Sequence, residues 1–189
     1  MEKLNNNVYN FLPFTQAIGF TQLMLCVLNN DLENASKYLS EINAKDNIGW
    51  TALHLACRNL KTFSSNEMVK FLLKNGADPN ARAGNTDWTP LHYVSMYSAD
   101  DSLATVEVLL KNGADPNAET IIGWKPLHFV LRYSNSTNFL EITKLLLRYS
   151  ATPIDELTQI LKLEIDIESF IEANEKLRNT ILSLENEEN

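Results

Sequence analysis

The chain has 189 residues, of which 44% are hydrophobic and 21% are charged, a balance that is ordinary for one globular domain with a buried core. The formal net charge is −8 and the sequence contains no basic cluster that would neutralise phosphates, so we expect neither nucleic acid nor a membrane surface as a partner. Because there is no run of about 18 apolar residues and no secretory signal in the polar segment 1–10, we predict a cytoplasmic protein.

The first predicted element is a short helix after Gly19. Residues 19–26 (GFTQLMLC) place a threonine ahead of an apolar run, and a threonine hydroxyl can cap a helix start. A second apolar stretch follows at 35–39 (ASKYL). The same order of residues recurs in clearer form along the chain. We therefore interpret residues 1–45, which also contain Tyr9, Phe11 and Phe14, as an N-terminal cap and a degenerate first repeat.

Three clear copies of one helix start follow. They are residues 49–56 (GWTALHLA), 87–94 (DWTPLHYV) and 123–130 (GWKPLHFV), spaced by 38 and 36 residues. Thr51 and Thr89 can cap these helices, and Pro90 and Pro126 stand at the first helical position, where the missing N–H does no harm. Each copy therefore predicts a helix that begins just after its tryptophan.

A second helix and a turn complete each unit. The sequence LLKNGADPN occurs at 72–80 and again at 109–117, and a worn copy, LLRYSATPI, occurs at 146–154. Met68, Val69, Leu72 and Leu73 are spaced as one apolar helical face. A glycine after the last helical turn favours the left-handed conformation that ends a helix, and Asp-Pro-Asn is typical of a turn.

At these residues the chain resembles the ankyrin repeat, with its TPLH helix start and GADxN finger. The resemblance covers residues 19–152 and implies an all-α solenoid of about four stacked helix pairs, with β-turn fingers and a concave binding face. We assign an ankyrin-repeat domain to residues 1–152, with full repeats at 46–82, 83–118 and 119–152. These units are longer than the roughly 33 residues usual for the family. We expect the additional residues to lengthen the helix pairs at the end that lies away from the fingers.

The segment 153–189 is predicted to be a helical C-terminal cap with an acidic tail. Ser150, Thr152 and Ile154 interrupt the finger pattern, so stacking is expected to stop there. Residues 1–152 contain 14 acidic and 13 basic side chains, whereas residues 153–189 contain 10 and 3. The last predicted helix, from 167 to 184, either covers the end of the stack or protrudes as an amphipathic helix that binds a partner.

No residue pattern supports catalysis. His54, His92 and His128 occupy equivalent repeat positions, and the resemblance implies that they tie neighbouring fingers together by hydrogen bonds. Cys26 and Cys57 are interpreted as buried, reduced thiols, with a disulfide or a zinc site that also uses His54 as alternatives. We therefore predict that the protein is not an enzyme and uses no metal or cofactor.

The resemblance also implies which residues face a partner. They are Asn47, Ile48, Trp50 and Arg58 in the first full repeat, Asn85, Thr86, Trp88, Met96 and Tyr97 in the second, and Ile121, Ile122, Trp124, Arg132 and Tyr133 in the third. Tryptophan is common in binding hot spots, but it equally serves to pack against a neighbouring finger. The apolar pair Ile121-Ile122 beside Trp124 and Tyr133 predicts an adhesive patch at the third repeat.

Asn80 and Asn117 carry two interpretations. Their setting resembles that of ankyrin asparagines that a cytosolic dioxygenase hydroxylates, although Pro79 and Pro116 depart from that pattern. The alternative is a turn asparagine that bonds its own backbone.

The predicted function is a non-enzymatic protein–protein interaction module, acting as a monomer and binding a folded protein. The alternative is an adaptor, in which the groove holds a target and the acidic C-terminal helices recruit a second protein. The Asn-, Ile- and Lys-rich composition is typical of AT-rich genomes, and free-standing ankyrin proteins of intracellular bacteria and large viruses act on host proteins. An effector of that kind would work in the host-cell cytosol.

Overall fold

The computed structural model describes residues 19–60, 65–96, 102–133 and 138–149. These ranges contain eight α-helices: α1 (Gln22–Leu28), α2 (Leu32–Ala35), α3 (Ala52–Arg58), α4 (Asn66–Lys74), α5 (Pro90–Met96), α6 (Ser102–Lys111), α7 (Pro126–Tyr133) and α8 (Phe139–Tyr149). The only β-type pairing within these ranges is an isolated antiparallel bridge between Ala83 and Trp88. The predicted all-α repeat architecture is confirmed.

The helices form four pairs in two layers. The first helices pack in sequence, α1 on α3, α3 on α5 and α5 on α7, while α4 packs on α6 and α6 on α8. Burial follows the apolar spacing of the repeat: Leu53 and Leu91 from one layer and Leu72 and Leu109 from the other have no exposed surface. Each layer of leucines contacts the next, so the core is a continuous stripe between the two helix layers.

The degenerate first repeat also forms a helix pair, but an irregular one. The Thr21 side chain accepts a hydrogen bond from the Met24 backbone N–H at the start of α1, and Asp31 caps α2 through the Asn34 N–H. After four residues α2 gives way to a 3₁₀ segment, Ser36–Glu41, with non-helical geometry at Tyr38. The regular apolar face of the later repeats is absent here, since Ala35 is the one buried residue of this second helix and its extension.

The surplus residues do not lengthen α3, so that expectation is wrong for this helix. Helices α1, α3 and α5 each span seven residues and α7 spans eight. Asn59 leaves the helical region directly after α3, with φ −102° and ψ 17°. In the first full repeat the residues after Arg58 therefore do not extend the helix, and the segments that follow α5 and α7 lie outside the described residues.

The unequal spacings of 38 and 36 come from the second finger. Each finger begins where a backbone N–H donates to a tryptophan carbonyl, at Asp46, Ala83 and Thr120, and these positions are 37 residues apart. Four residues separate donor and acceptor in the first and third fingers, but five do in the second. The extra residue is accommodated by a 3₁₀ turn, Gly84–Thr86, and by Asp87 at φ +57°.

The described residues belong to a compact unit that ends at residue 150. The predicted N-terminal aromatic residues, the worn finger at Ser150 and the two cap helices lie outside them, as does Tyr97. Among the helices described above, none is long and apolar enough to cross a membrane.

Candidate protein-interaction face

The first two histidines join consecutive repeats. His54 Nε2 lies 3.1 Å from the Trp88 carbonyl oxygen, and His92 Nε2 lies 3.1 Å from that of Trp124. A carbonyl only accepts, so the ring proton is on Nε2 and Nδ1 is an acceptor. Nδ1 of His54 accepts from the Thr51 backbone N–H at 3.1 Å and lies 2.8 Å from the Thr51 hydroxyl. The tie between fingers that the resemblance implied is present.

These histidines are neutral at physiological pH. Burial is the main cause that lowers the pKa of His54 to about 4, and it has the same effect on His92. Burial also lowers the pKa of His128, whose Nδ1 accepts from the Lys125 N–H at 2.9 Å. With both ring nitrogens of His54 and His92 already in hydrogen bonds, neither ring is presented to a substrate.

Within the described residues, the geometry supports neither the zinc site nor the disulfide that the sequence left open. Cys26 and Cys57 are both free and buried, and burial raises the pKa of each thiol. A zinc ligand must be a thiolate, which this burial disfavours, and His54 has no free nitrogen. No group of three potential metal-binding side chains occurs in this part of the chain.

A second set of bonds between repeats comes from asparagines. The Asn43 amide donates to the Gly76 carbonyl at 3.0 Å and accepts from the Asp78 N–H at 2.8 Å. Asn80 repeats both contacts one unit later, with Gly113 at 2.8 Å and Asp115 at 2.7 Å.

The Asn80 side chain therefore spans two repeats instead of bonding its own turn. The intra-turn bond is made by Asp78, whose carboxylate accepts from the Asn80 N–H, and Asp115 does the same for Asn117. The turn interpretation of Asn80 is wrong in that respect. Hydroxylation of Asn80 and Asn117 stays a prediction.

The three tryptophans form an aromatic ladder with side chains from the following helix. The Tyr93 ring lies between Trp50 and Trp88, with centroids 4.9 and 5.0 Å away, and the Phe129 ring lies between Trp88 and Trp124, at 4.7 and 5.3 Å. Tyr93 and Phe129 are buried, and the tryptophans are half-buried. The tryptophans therefore pack against neighbouring units, which is one of the two interpretations of the sequence. That they also bind a partner protein stays a prediction.

Most of the other predicted contact residues lie on the surface. Ile121 and Ile122 are 65% and 66% exposed, and Ile48 and Tyr133 are 48% and 43% exposed. The remaining exposed members are Asn47, Arg58, Asn85, Thr86 and Arg132, while Met96 is half-buried.

The finger tips and the ends of the first helices lie close together. The Arg58 guanidinium lies over the Trp50 ring, 5.0 Å from its centroid, and the Tyr133 ring is 6.3 Å from that of Trp124. We call this set of finger tips, tryptophans and helix ends the interaction face.

Comparison with known families identifies this geometry. The family model for ankyrin repeats matches three times, over residues 4–83, 23–120 and 63–159. The chain belongs to the ankyrin-repeat family. Among its relatives, an ankyrin repeat protein of Acanthamoeba polyphaga mimivirus is 26% identical over 77% of this chain, but the match covers 22% of that protein.

Two further relatives of this ankyrin-repeat chain match shorter stretches. An ankyrin repeat domain-containing protein of monkeypox virus is 32% identical over 43% of the chain and 12% of its own length. The human mitochondrial disaggregase is 44% identical over 27% of the chain and 7% of its own length. The chain thus spans about a fifth or less of the length of these relatives, so the similarity concerns the repeats themselves.

Sequence reasoning missed several residues that build the face of this ankyrin protein. Lys45 Nζ donates to the Arg82 carbonyl at 3.0 Å, and the Arg82 guanidinium donates to the Glu119 carbonyl at 2.8 Å. The signal was the 37-residue spacing of Lys45 and Arg82, each of which stands two positions after an asparagine. Tyr93 and Phe129 were also missed, although both follow their tryptophan by five residues.

Asp46 and Thr120 fix the first and third finger tips from within. Asp46 Oδ1 accepts from the Ile48 and Trp50 N–H groups at 3.0 and 2.8 Å, and Thr120 Oγ1 accepts from the Trp124 N–H at 3.1 Å. Burial is the main cause that raises the pKa of Asp46. The tips that carry the exposed isoleucines are therefore held by their own backbone and side-chain bonds.

Proposed function

We propose that this ankyrin protein is a non-enzymatic interaction module that binds a folded protein partner through its interaction face. The observation that supports the proposal is the exposed apolar pair Ile121-Ile122 at the tip of the third finger, together with the exposed Tyr133, whose ring lies 6.3 Å from that of Trp124 in the same finger. Large exposed apolar side chains grouped on a rigid loop are typical of a protein-binding surface. Protein interaction is also the general role of the ankyrin family.

The rigidity of the tip adds to the argument. The Gly123 N–H donates to the Thr120 carbonyl at 2.9 Å, and the Ile121 N–H donates to the Thr86 carbonyl of the preceding finger at 3.2 Å. Because the loop is held before binding, less conformational entropy is lost when a partner contacts it. We place the binding hot spot at the third repeat.

The test compares variants by quantitative affinity capture from the native cell. We expect an Ile121→Ser, Ile122→Ser, Tyr133→Ala variant to lose at least tenfold in captured partner, since apolar anchors dominate such interfaces. Tyr149→Ala is the matched control, because Tyr149 is similarly exposed, at 40%, but lies on the second helix of its pair. Equal capture by the triple variant would contradict the proposed face.

We propose that the chain acts as a monomer in the cytosol, and in the host-cell cytosol if it is an effector. Ankyrin proteins of mimivirus and monkeypox virus among the relatives support the effector variant of the proposal. Detection of the tagged protein in the host-cell cytosol of an infected culture would test this location, and its absence there would contradict it.

An adaptor is the second candidate, and the uneven charge of the chain favours it. Residues 153–189 carry 10 acidic and 3 basic side chains, in contrast to the balanced residues 1–152. We propose residues 1–152 as the binding domain and 153–189 as the cap or recruiting segment. Deleting residues 165–189 distinguishes the two: an adaptor keeps its target and its folded state but loses function, whereas loss of the cap unfolds the stack.

A further inference from the structure

The interaction face has a charge opposite to that of the chain. Its exposed cations are Lys45, Arg58, Arg82 and Arg132, with the largely covered Lys125 beside them. The acidic side chains on the same fingers are Asp87 and Glu119, which lie 3.6 Å from Arg82 and 3.9 Å from Lys125, and the buried Asp46. With five cations against three acidic side chains, the face has a cationic excess on a chain of net charge −8.

Two of these cations occupy equivalent positions on the first helices. Arg58 ends α3 and Arg132 is in the last turn of α7, each eight residues after the tryptophan of its finger. Met96 ends α5 at the same position of the repeat between them. Stacked helices lie about 10 Å apart, so two repeats separate the arginines by roughly 20 Å. Along the three repeats, this position is therefore occupied by a cation, a thioether and a cation in turn.

We propose that the interaction face accepts an extended acidic segment of a partner protein, with carboxylates at Arg58 and Arg132 and apolar side chains between them. An extended chain rises about 3.3 Å per residue, so the two carboxylates would be roughly six residues apart. Guanidinium groups bind carboxylates in a planar, bidentate manner, and Met96 offers an adaptable apolar contact. This inference rests on the proposed function and names the partner chemistry.

A peptide fits these observations better than a nucleic acid does. A nucleic acid is held by many phosphate contacts to a basic cluster, which this sequence lacks, whereas a short acidic segment needs only the few separated cations of this face. The apolar tips Ile48, Ile121 and Ile122 also offer contacts that a phosphate backbone would not use.

The test selects binders from a random peptide display library on the full chain. Selected sequences are expected to be rich in Asp and Glu about six residues apart with apolar residues between them. For the best peptide, the Arg58→Gln, Arg132→Gln double variant should weaken binding at least tenfold, and raising the salt should weaken wild-type binding. Lys74→Gln, Lys111→Gln is the matched control, because it removes the same charge from exposed lysines at the ends of α4 and α6.

Each other result contradicts the inference in a recognisable way. The single variant Arg132→Gln leaves the Arg58–Trp50 contact intact and should still weaken binding several-fold. If peptide binding is lost only in variants that also have a lower melting temperature, the loss reflects misfolding and contradicts the inference. Selection of neutral peptides that depend on Ile121 and Ile122 would overturn the charge inference but leave the proposed function standing. Selection of nothing, or equal competition by single-stranded DNA, would overturn the acidic-segment partner.

Discussion

Individual histidines show how a residue type associated with catalysis serves the framework here. His54 and His92 are fully buried, each bonded to its own helix start and to the carbonyl of the next finger. That arrangement requires the neutral ring. Protonation would place a second N–H against the threonine N–H and leave a buried charge, which is costly.

The stability of the protein should therefore fall in mild acid. The pKa of His54 and of His92 is lowered to about 4 from the usual 6.5, so below pH 6.5 the unfolded chain binds protons that the folded chain does not bind. The stabilisation is fully present above pH 6.5 and is lost as pH falls towards 4. We expect about 2 kcal/mol less stability per histidine at pH 5 than at pH 7.5, measured by urea unfolding.

A His92→Gln variant provides the control for this pH dependence. Its glutamine does not titrate, so the difference in stability between the two pH values should shrink by about 2 kcal/mol, the contribution of one histidine. An unchanged pH dependence in the variant would show that carboxylates, not the histidines, are responsible.

The bridging asparagines give a second prediction at this scale. Asn80→Ala removes both contacts with the following repeat, to the Gly113 carbonyl and the Asp115 N–H. The site is exposed, so water replaces part of the loss and we expect a cost of about 1 kcal/mol in urea unfolding. Asn85→Ala, at an exposed finger tip, is the matched control and should cost little. Equal costs for the two variants would mean that the bridge contributes nothing.

The sequence determines the role of these residues only in part. The equivalent positions of the histidines and the family resemblance predicted the finger ties of His54 and His92 correctly, and a tie at His128 stays a prediction. The partner of each tryptophan was not predictable from one repeat, because Tyr93 and Phe129 reach it from the next unit and the order of rings depends on how the units stack. For the same reason the sequence suggested that the Asn80 side chain bonds its own turn, whereas it bonds the following repeat.

At the scale of single elements, the fingers are held more closely than the sequence suggests. A Cβ at Gly84 would lie 2.5 Å from the Ile48 carbonyl oxygen, and one at Gly49 would lie 2.5 Å from the Gly84 nitrogen. The first and second fingers thus approach each other backbone to backbone. Repeat spacing alone predicted helices and turns. It did not predict the longer second finger, because an extra residue in a turn and one in a helix shift the spacing equally.

A glycine comparison tests this close approach. Gly84→Ala and Gly76→Ala both place a side chain at positive φ, +54° and +88°, but only Gly84 also meets the backbone of another finger. The left-handed conformation costs an alanine about 1 kcal/mol. We expect Gly76→Ala to lower the melting temperature by about 2–4 °C, and Gly84→Ala to lower it further. Equal melting temperatures would mean that the fingers separate easily.

On the scale of the whole described stack, stability depends on contacts between neighbouring units. Phe129 contacts Trp88 of the preceding finger and Trp124 of its own, and it is 2% exposed. Repeat stacks behave as a chain of units coupled to their neighbours, so a weakened interface can separate their unfolding.

Phe129→Ala should weaken this interface strongly. We expect a loss of about 3–5 kcal/mol and separate unfolding transitions by tryptophan fluorescence and by circular dichroism. Phe129→Leu keeps most of the apolar volume and should retain a single transition with a smaller loss. Coincident transitions in Phe129→Ala would show that the third repeat is not a separable unit.

Six hydrogen-bonding side chains that join consecutive repeats share one direction. In each case the earlier unit supplies the side chain, at Asn43, Lys45, His54, Asn80, Arg82 and His92, and the later unit supplies a main-chain group. Main-chain groups do not depend on which side chain follows them. These ties therefore place few sequence requirements on the unit that follows, so a duplicated or deleted repeat can keep them without compensating mutations there.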